Sequence, residues 1–108
     1  MAFLQATFTG PKDKLVVNGQ PFTYLFRDKT KETEILSAQE GRVALPVYDL
    51  TQSDKIIRKS EFSTREYAEL YLNTPAPRAF YNGGDAGVAA EFEYMKLHGI
   101  VRSIEVVD

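Results

Sequence analysis

Cysteine is absent from the chain, which excludes disulfides, thiolate metal sites and thiol nucleophiles. Such a composition fits a reducing compartment, so a cytoplasmic protein is expected, or a virion-associated one if the source is viral. Histidine occurs once, as His98, and it has no thiol to activate. None of Ser37, Ser53, Ser60, Ser63 and Ser103 lies in a G-x-S-x-G elbow, so no nucleophilic triad is legible. No run approaches the roughly 20 apolar residues of a membrane span. The start of the chain, Met1 to Gln5, also lacks the basic region and apolar run of a signal peptide. A soluble protein is expected, with no membrane partner.

A basic surplus is missing too. Lysine and arginine total 13 against 15 acidic residues, for a net charge of −2. A domain that tracks a nucleic-acid backbone carries a basic patch or stripe, so nucleic acid is disfavoured as a partner. The densest basic stretch holds Lys55, Arg58 and Lys59, but Asp54 and Glu61 flank it. It reads as a solvated segment.

What remains is an ordinary globular composition. At 108 residues with 44% hydrophobic and 12% aromatic side chains, the chain can bury one core, and a single domain over residues 1–108 is expected. From Phe3 to Thr9, Leu4, Ala6 and Phe8 alternate with polar neighbours at the period of a half-buried strand. Asn18-Gly19 then gives a strong hairpin signal, because a type I′ turn needs positive φ at both central positions. That turn pairs Val17 with Gln20 and Val16 with Pro21, and it predicts a strand running on through Phe22, Tyr24 and Phe26. Asp28 to Glu34 contains no apolar residue and reads as a solvated loop. Arg42 to Tyr48 alternates again, with Pro46 arguing for an edge, and Ile56-Ile57 suggests a brief strand.

Two helices are marked at both ends. Ser63-Thr64-Arg65-Glu66 reads as a capping box with Ser63 as cap, and Thr74-Pro75 stops that helix. Tyr67, Leu70 and Tyr71 share its apolar face. The second helix is expected to start at Asp85 as N-cap and to end at His98, with Gly99 in the left-handed position that closes a helix. Its apolar stripe is Val88, Ala89, Phe92 and Met95, widened by Tyr94 and Leu97. Ile100 to Val107 is β-branched and apolar on both faces, so this C-terminal strand is expected to be central. The order predicts an α+β fold, an antiparallel or mixed sheet of about five to six strands with two helices packed on one face.

The conspicuous residues have structural uses. Asn82-Gly83-Gly84-Asp85 precedes a helix, where free amides can hold an anion, but no phosphate-loop fingerprint is met and Asp85 would repel a phosphate. A small-ligand or nucleotide site on this turn is the alternative function. Glu66 and Glu69, like Glu91 and Glu93, fit exposed helix faces, and Asp49, Asp54 and Asp85 lack calcium-loop spacing. No catalytic residue, metal site or cofactor is expected. The segment left for function is Thr74 to Gly84, which joins the helices and carries Arg78, Phe80 and Tyr81, residue types that dominate interfaces. The expectation is a non-enzymatic interaction module, structural, regulatory or inhibitory, of the kind common among viral and phage accessory or virion proteins. Its partner would be another protein, or copies of itself, held by Arg78, Phe80 and Tyr81.

Overall fold

The computed structural model describes every residue, Met1–Asp108. The first half of the chain forms β1 (Ala2–Thr9), α1 (Lys12–Leu15), β2 (Val16–Val17), β3 (Gln20–Pro21), a 3₁₀ turn (Phe22–Leu25) and α2 (Lys29–Ser37). The second half forms β4 (Val47–Asp49), β5 (Lys55–Phe62), α3 (Arg65–Leu72), a short 3₁₀ turn (Arg78–Phe80), α4 (Asp85–His98) and β6 (Val101–Val107). The fold is α+β. Its main sheet has four antiparallel strands in the order β4-β5-β1-β6, and β2 and β3 form a separate two-stranded ribbon. No helix is long and apolar enough to cross a membrane.

The period-2 pattern of β1 explains the sheet. Ala2, Ala6 and Phe8 are buried on one face, and β1 pairs along its length with β5 on one side and β6 on the other. The strand with the clearest alternation is thus central. The C-terminal strand, expected in the middle, is instead an edge strand. Its double-sided apolar character does not require burial, since Val101 lies mostly in solvent. Side chains of α3 and α4 meet the Ala2–Phe8 face: Ala68 packs with Ala2 and Phe62, and Met95 with Ala6, Phe8, Leu15 and Ile56.

Two further segments differ from their sequence reading. The Asn18-Gly19 turn forms as expected, with φ of 55° and 76° and the register Val17↔Gln20, Val16↔Pro21. The second strand then stops at Pro21. A 3₁₀ turn follows, and it inserts the Phe22 ring between Phe8 and Tyr94, at centroid distances of 5.4 and 5.5 Å. Burying that ring contributes about 1.5–3 kcal/mol. The charged segment after Asp28 is a helix and not a loop. Asp28 caps it, its carboxylate accepting the Lys31 amide at 3.0 Å, and one face is buried through Glu32 and Leu36. Lys, Glu and Thr tolerate helix well enough once a cap and a docking face exist.

The helix ends hold with small shifts. The cap of α3 is Thr64, whose hydroxyl accepts the Tyr67 amide at 3.2 Å. Ser63 is displaced from that role because its own amide donates to the Gly41 carbonyl at 2.8 Å. Asp85 lies inside the first turn of α4, with Gly84 before it, and Gly99 closes the helix with φ of 66° while the Ile100 amide reaches Met95 O at 2.8 Å. The apolar stripe of α4 is not the one expected. Glu91 is buried and Phe92 and Leu97 are exposed, so the helix is rotated to bury Gly87, Glu91 and Met95; Leu70 on α3 is exposed as well.

Candidate functional site

The rotation of α4 follows from a buried polar cluster. Arg27 leads into α2 and is 9% exposed, with Glu32 at 7% and Glu91 at 8%. Its guanidinium donates to Glu32 Oε2 at 2.9 Å, to Glu91 Oε2 at 3.2 Å and to Glu91 Oε1 at 3.3 Å. The Tyr81 hydroxyl accepts from Arg27 at 3.0 Å and donates to Glu91 Oε1 at 3.2 Å. The Phe80 and Tyr81 rings lie 5.5 and 4.9 Å from the guanidinium carbon. Burial opposes the charge on Arg27, but Glu91 and Tyr81 outweigh it and hold the guanidinium more firmly protonated than usual. Burial also raises the Tyr81 pKa, assisted by Glu91 and opposed by Arg27. The array ties three distant segments together and no buried side-chain polar atom in the molecule lacks a hydrogen bond.

Beside this cluster, between the inner sheet face and the helices, is a cavity of about 370 Å³. That lies within the usual range for small-molecule sites, roughly 300–1,000 Å³. Its floor is sheet: Leu4, Ser60, Arg58, Ile104 and Arg102. The register explains their grouping. Ala6 stands between Arg58 and Ile104, and Leu4 faces Ser60, so small side chains alternate with large ones and leave room above the sheet. Phe80, Tyr81 and Tyr71, with the Thr74–Pro77 segment, form one wall, and Glu32, Leu36, Gln39 and Arg42 contribute another.

The lining contains four arginines and a single carboxylate, in a chain whose net charge is −2. Only Arg27 is ion-paired. Arg42 has neutral partners, donating to Gln39 Oε1 at 3.0 Å and to the Ala44 carbonyl at 3.2 Å, and it lies 4.8 Å from the Phe62 ring centroid. Arg58 lies 5.7 Å from the Phe8 centroid, and neither it nor Arg102 has a carboxylate within salt-bridge distance. Burial lowers the Arg42 pKa, and the charge of Arg58 lowers it further. Two guanidinium groups thus repel one another in a part-buried space, and although Glu32 offsets part of that repulsion at Arg42, neither group has an ion-pair partner. An anion placed there would relieve that repulsion, with charge-assisted and bidentate bonds available.

No protein-family model matches the chain, and no curated protein matches it. A solved structure from Deinococcus radiodurans, described as a "putative antibiotic biosynthesis monooxygenase", is similar to it. The TM-score is 0.49 at 13% identity, and the match covers 100% of this chain and 91% of that one. The likeness assigns no reaction or substrate to this chain. The expectation of a non-enzymatic, protein-binding module of viral type is set against that description and is not carried further. The cavity is of a size that a small ligand fills, and no local motif announces it.

The residues singled out in sequence separate. Phe80 and Tyr81 are buried and line the cavity, whereas Arg78 points outward and pairs with Asp85 at 2.9 Å on the surface. The glycines before α4 serve the backbone, Gly83 and Gly84 having φ of 79° and 59°, and in the first turn of the helix a Cβ on Gly87 would lie 2.2 Å from the Asn82 carbonyl oxygen. His98 ends α4, its ring 4.6 Å from that of Tyr94. The solvated reading of Lys55 to Lys59 fails at Arg58, and that of Glu91 fails outright. For Arg58 a signal was present, since Ile56, Arg58, Ser60 and Phe62 share one strand face whose other members are buried. Nothing local marked Arg27, Arg42 or Arg102, which come to the cavity from separate elements.

Proposed function

We propose that this chain binds a small organic anion in the cavity between the sheet and its helices. One observation carries the reading: Arg42, Arg58 and Arg102 converge on the cavity without an acidic partner, and the first two repel one another. The apolar surface of Leu4, Leu36, Ile104 and Phe80 beside them favours a ligand with a hydrocarbon body. The ligand's carboxylate or phosphate meets the arginines, and its body lies against the aromatic wall.

Calorimetric titration with biphenyl carboxylate and with the neutral biphenyl carboxamide tests this. The acid is expected to bind at least about tenfold more tightly than the amide, the advantage of a charge-assisted contact. Arg58→Gln should remove most of that preference. Equal affinities for acid and amide, or a preference untouched by Arg58→Gln, would refute the anion site.

A further inference from the structure

We infer that the ligand carries a hydrogen-bond donor on the end away from its anion, and that Glu32 receives it. This rests on the anion-binding reading and assigns the other pole of the same cavity. Glu32 is the only carboxylate in the lining. Its Oε2 is held by Arg27 at 2.9 Å, while its Oε1 has no partner in the protein and is not fully buried, since no fully buried side-chain oxygen is unsatisfied, and the residue lines the cavity. A fixed carboxylate with one committed oxygen and one free oxygen is an acceptor of defined direction. The side chain cannot swing away, being anchored in the first turn of α2 and gripped by a guanidinium that is itself held by Glu91 and Tyr81.

The charges of the lining divide accordingly. Arg27, Glu32 and Glu91 form a group of net charge −1 if all are ionised, from one cation and two anions. Arg42, Arg58 and Arg102 have no ion-pair partner. A ligand with an anion alone would satisfy the arginines and leave Glu32 Oε1 desolvated without a donor, which costs affinity. An anion with a distal hydroxyl or amine satisfies both poles. The ligand class is therefore a hydroxy- or amino-substituted organic acid with an apolar body between its two polar ends. Glu32 acts in this reading as a specificity-determining residue, discriminating by the cost of an unpaired buried acceptor.

The test compares biphenyl carboxylate with analogues bearing a distal-ring hydroxyl at the ortho, meta or para position, and with the corresponding methoxy compounds, on the wild-type protein. At least one hydroxyl isomer is expected to bind about tenfold more tightly than the parent, the worth of a hydrogen bond to a charged acceptor. Its methoxy counterpart should lose the gain. In Glu32→Gln the hydroxyl-to-parent ratio should fall towards unity while the parent still binds. If the parent binds through Arg58 and no hydroxyl isomer gains, the Glu32 assignment is wrong and the anion site stands. A hydroxyl gain that survives Glu32→Gln likewise removes Glu32. If neither parent nor analogue binds, both readings are overturned. The wild-type series needs no variant to fold.

Discussion

Two groups of buried or half-buried charge lie side by side in this molecule and are treated in opposite ways. Around Arg27 every guanidinium nitrogen is matched, by Glu32, Glu91 and Tyr81, and the cluster is largely buried. Arg58 has no ion-pair partner, and its charge repels that of Arg42. A completed ion cluster in a protein interior serves the fold: it fixes which way α4 rotates and how the Phe80-Tyr81 segment docks. Incomplete charge is costly to the fold and has a use only if something else completes it. The contrast separates charge that the fold itself completes from charge that it leaves open.

The largest way to break the comparison is at the matched group. Arg27→Met leaves Glu32 and Glu91 buried without a cation, and a destabilisation of about 3–5 kcal/mol is expected in urea unfolding. A loss below 1 kcal/mol would mean that the cluster is not a structural unit. Phe80→Ala removes a ring that is 2% exposed and should cost a similar amount, about 3–5 kcal/mol. Arg78→Ala, two residues before that ring in the same 3₁₀ turn, touches only a surface pair and should stay within about 1 kcal/mol.

Tyr81→Phe is the next step down. It removes one acceptor and one donor from the cluster, for an expected loss of about 1–2 kcal/mol. Its pH signature has a definite sign. The folded-state pKa of Tyr81 lies above the ordinary 10.0, so the folded protein holds this proton more tightly than the unfolded chain does. The resulting stability is complete below about pH 10 and is lost as pH rises through the folded-state value. Urea unfolding of the wild type should weaken through that alkaline range, and Tyr81→Phe should flatten the decline.

The smallest effect on stability is expected at the unmatched group, and it sharpens the contrast. Arg58→Gln removes a repelling charge and one ring contact, so stability should change by no more than about 1 kcal/mol in either direction. Sulfate should raise the wild-type melting temperature more than chloride at equal ionic strength, by mass action on the arginines. In Arg42→Gln with Arg58→Gln that difference should vanish. A sulfate effect that persists in the double variant would place anion binding elsewhere.

Much of the fold was legible because its signals are local. The alternation of Leu4, Ala6 and Phe8, the Asn18-Gly19 turn, the hydroxyl cap before α3 and the left-handed Gly99 each depend on a few adjacent residues. The errors are of one kind as well. Asp28 to Glu34 lacks apolar side chains, and its helix exists because Glu32 and Leu36 find a docking face. Glu91 was assigned to solvent because a carboxylate ordinarily belongs there. It is buried because Arg27, 64 residues away in sequence, supplies its counter-charge.

The sequence by itself determined the first strand, the Asn18-Gly19 turn and the ends of α3 and α4. These depend on backbone conformation and on neighbours within a helical turn or a hairpin. Tertiary structure alone decided the sheet order, the rotation of α4 and the site. Charges on separate strands and helices become a cavity only when the register sets Arg58 and Arg102 on the inner face and α2 brings Glu32 to meet them. An arginine's meaning lies in whether an acid is within a few ångströms, and sequence spacing does not fix that distance.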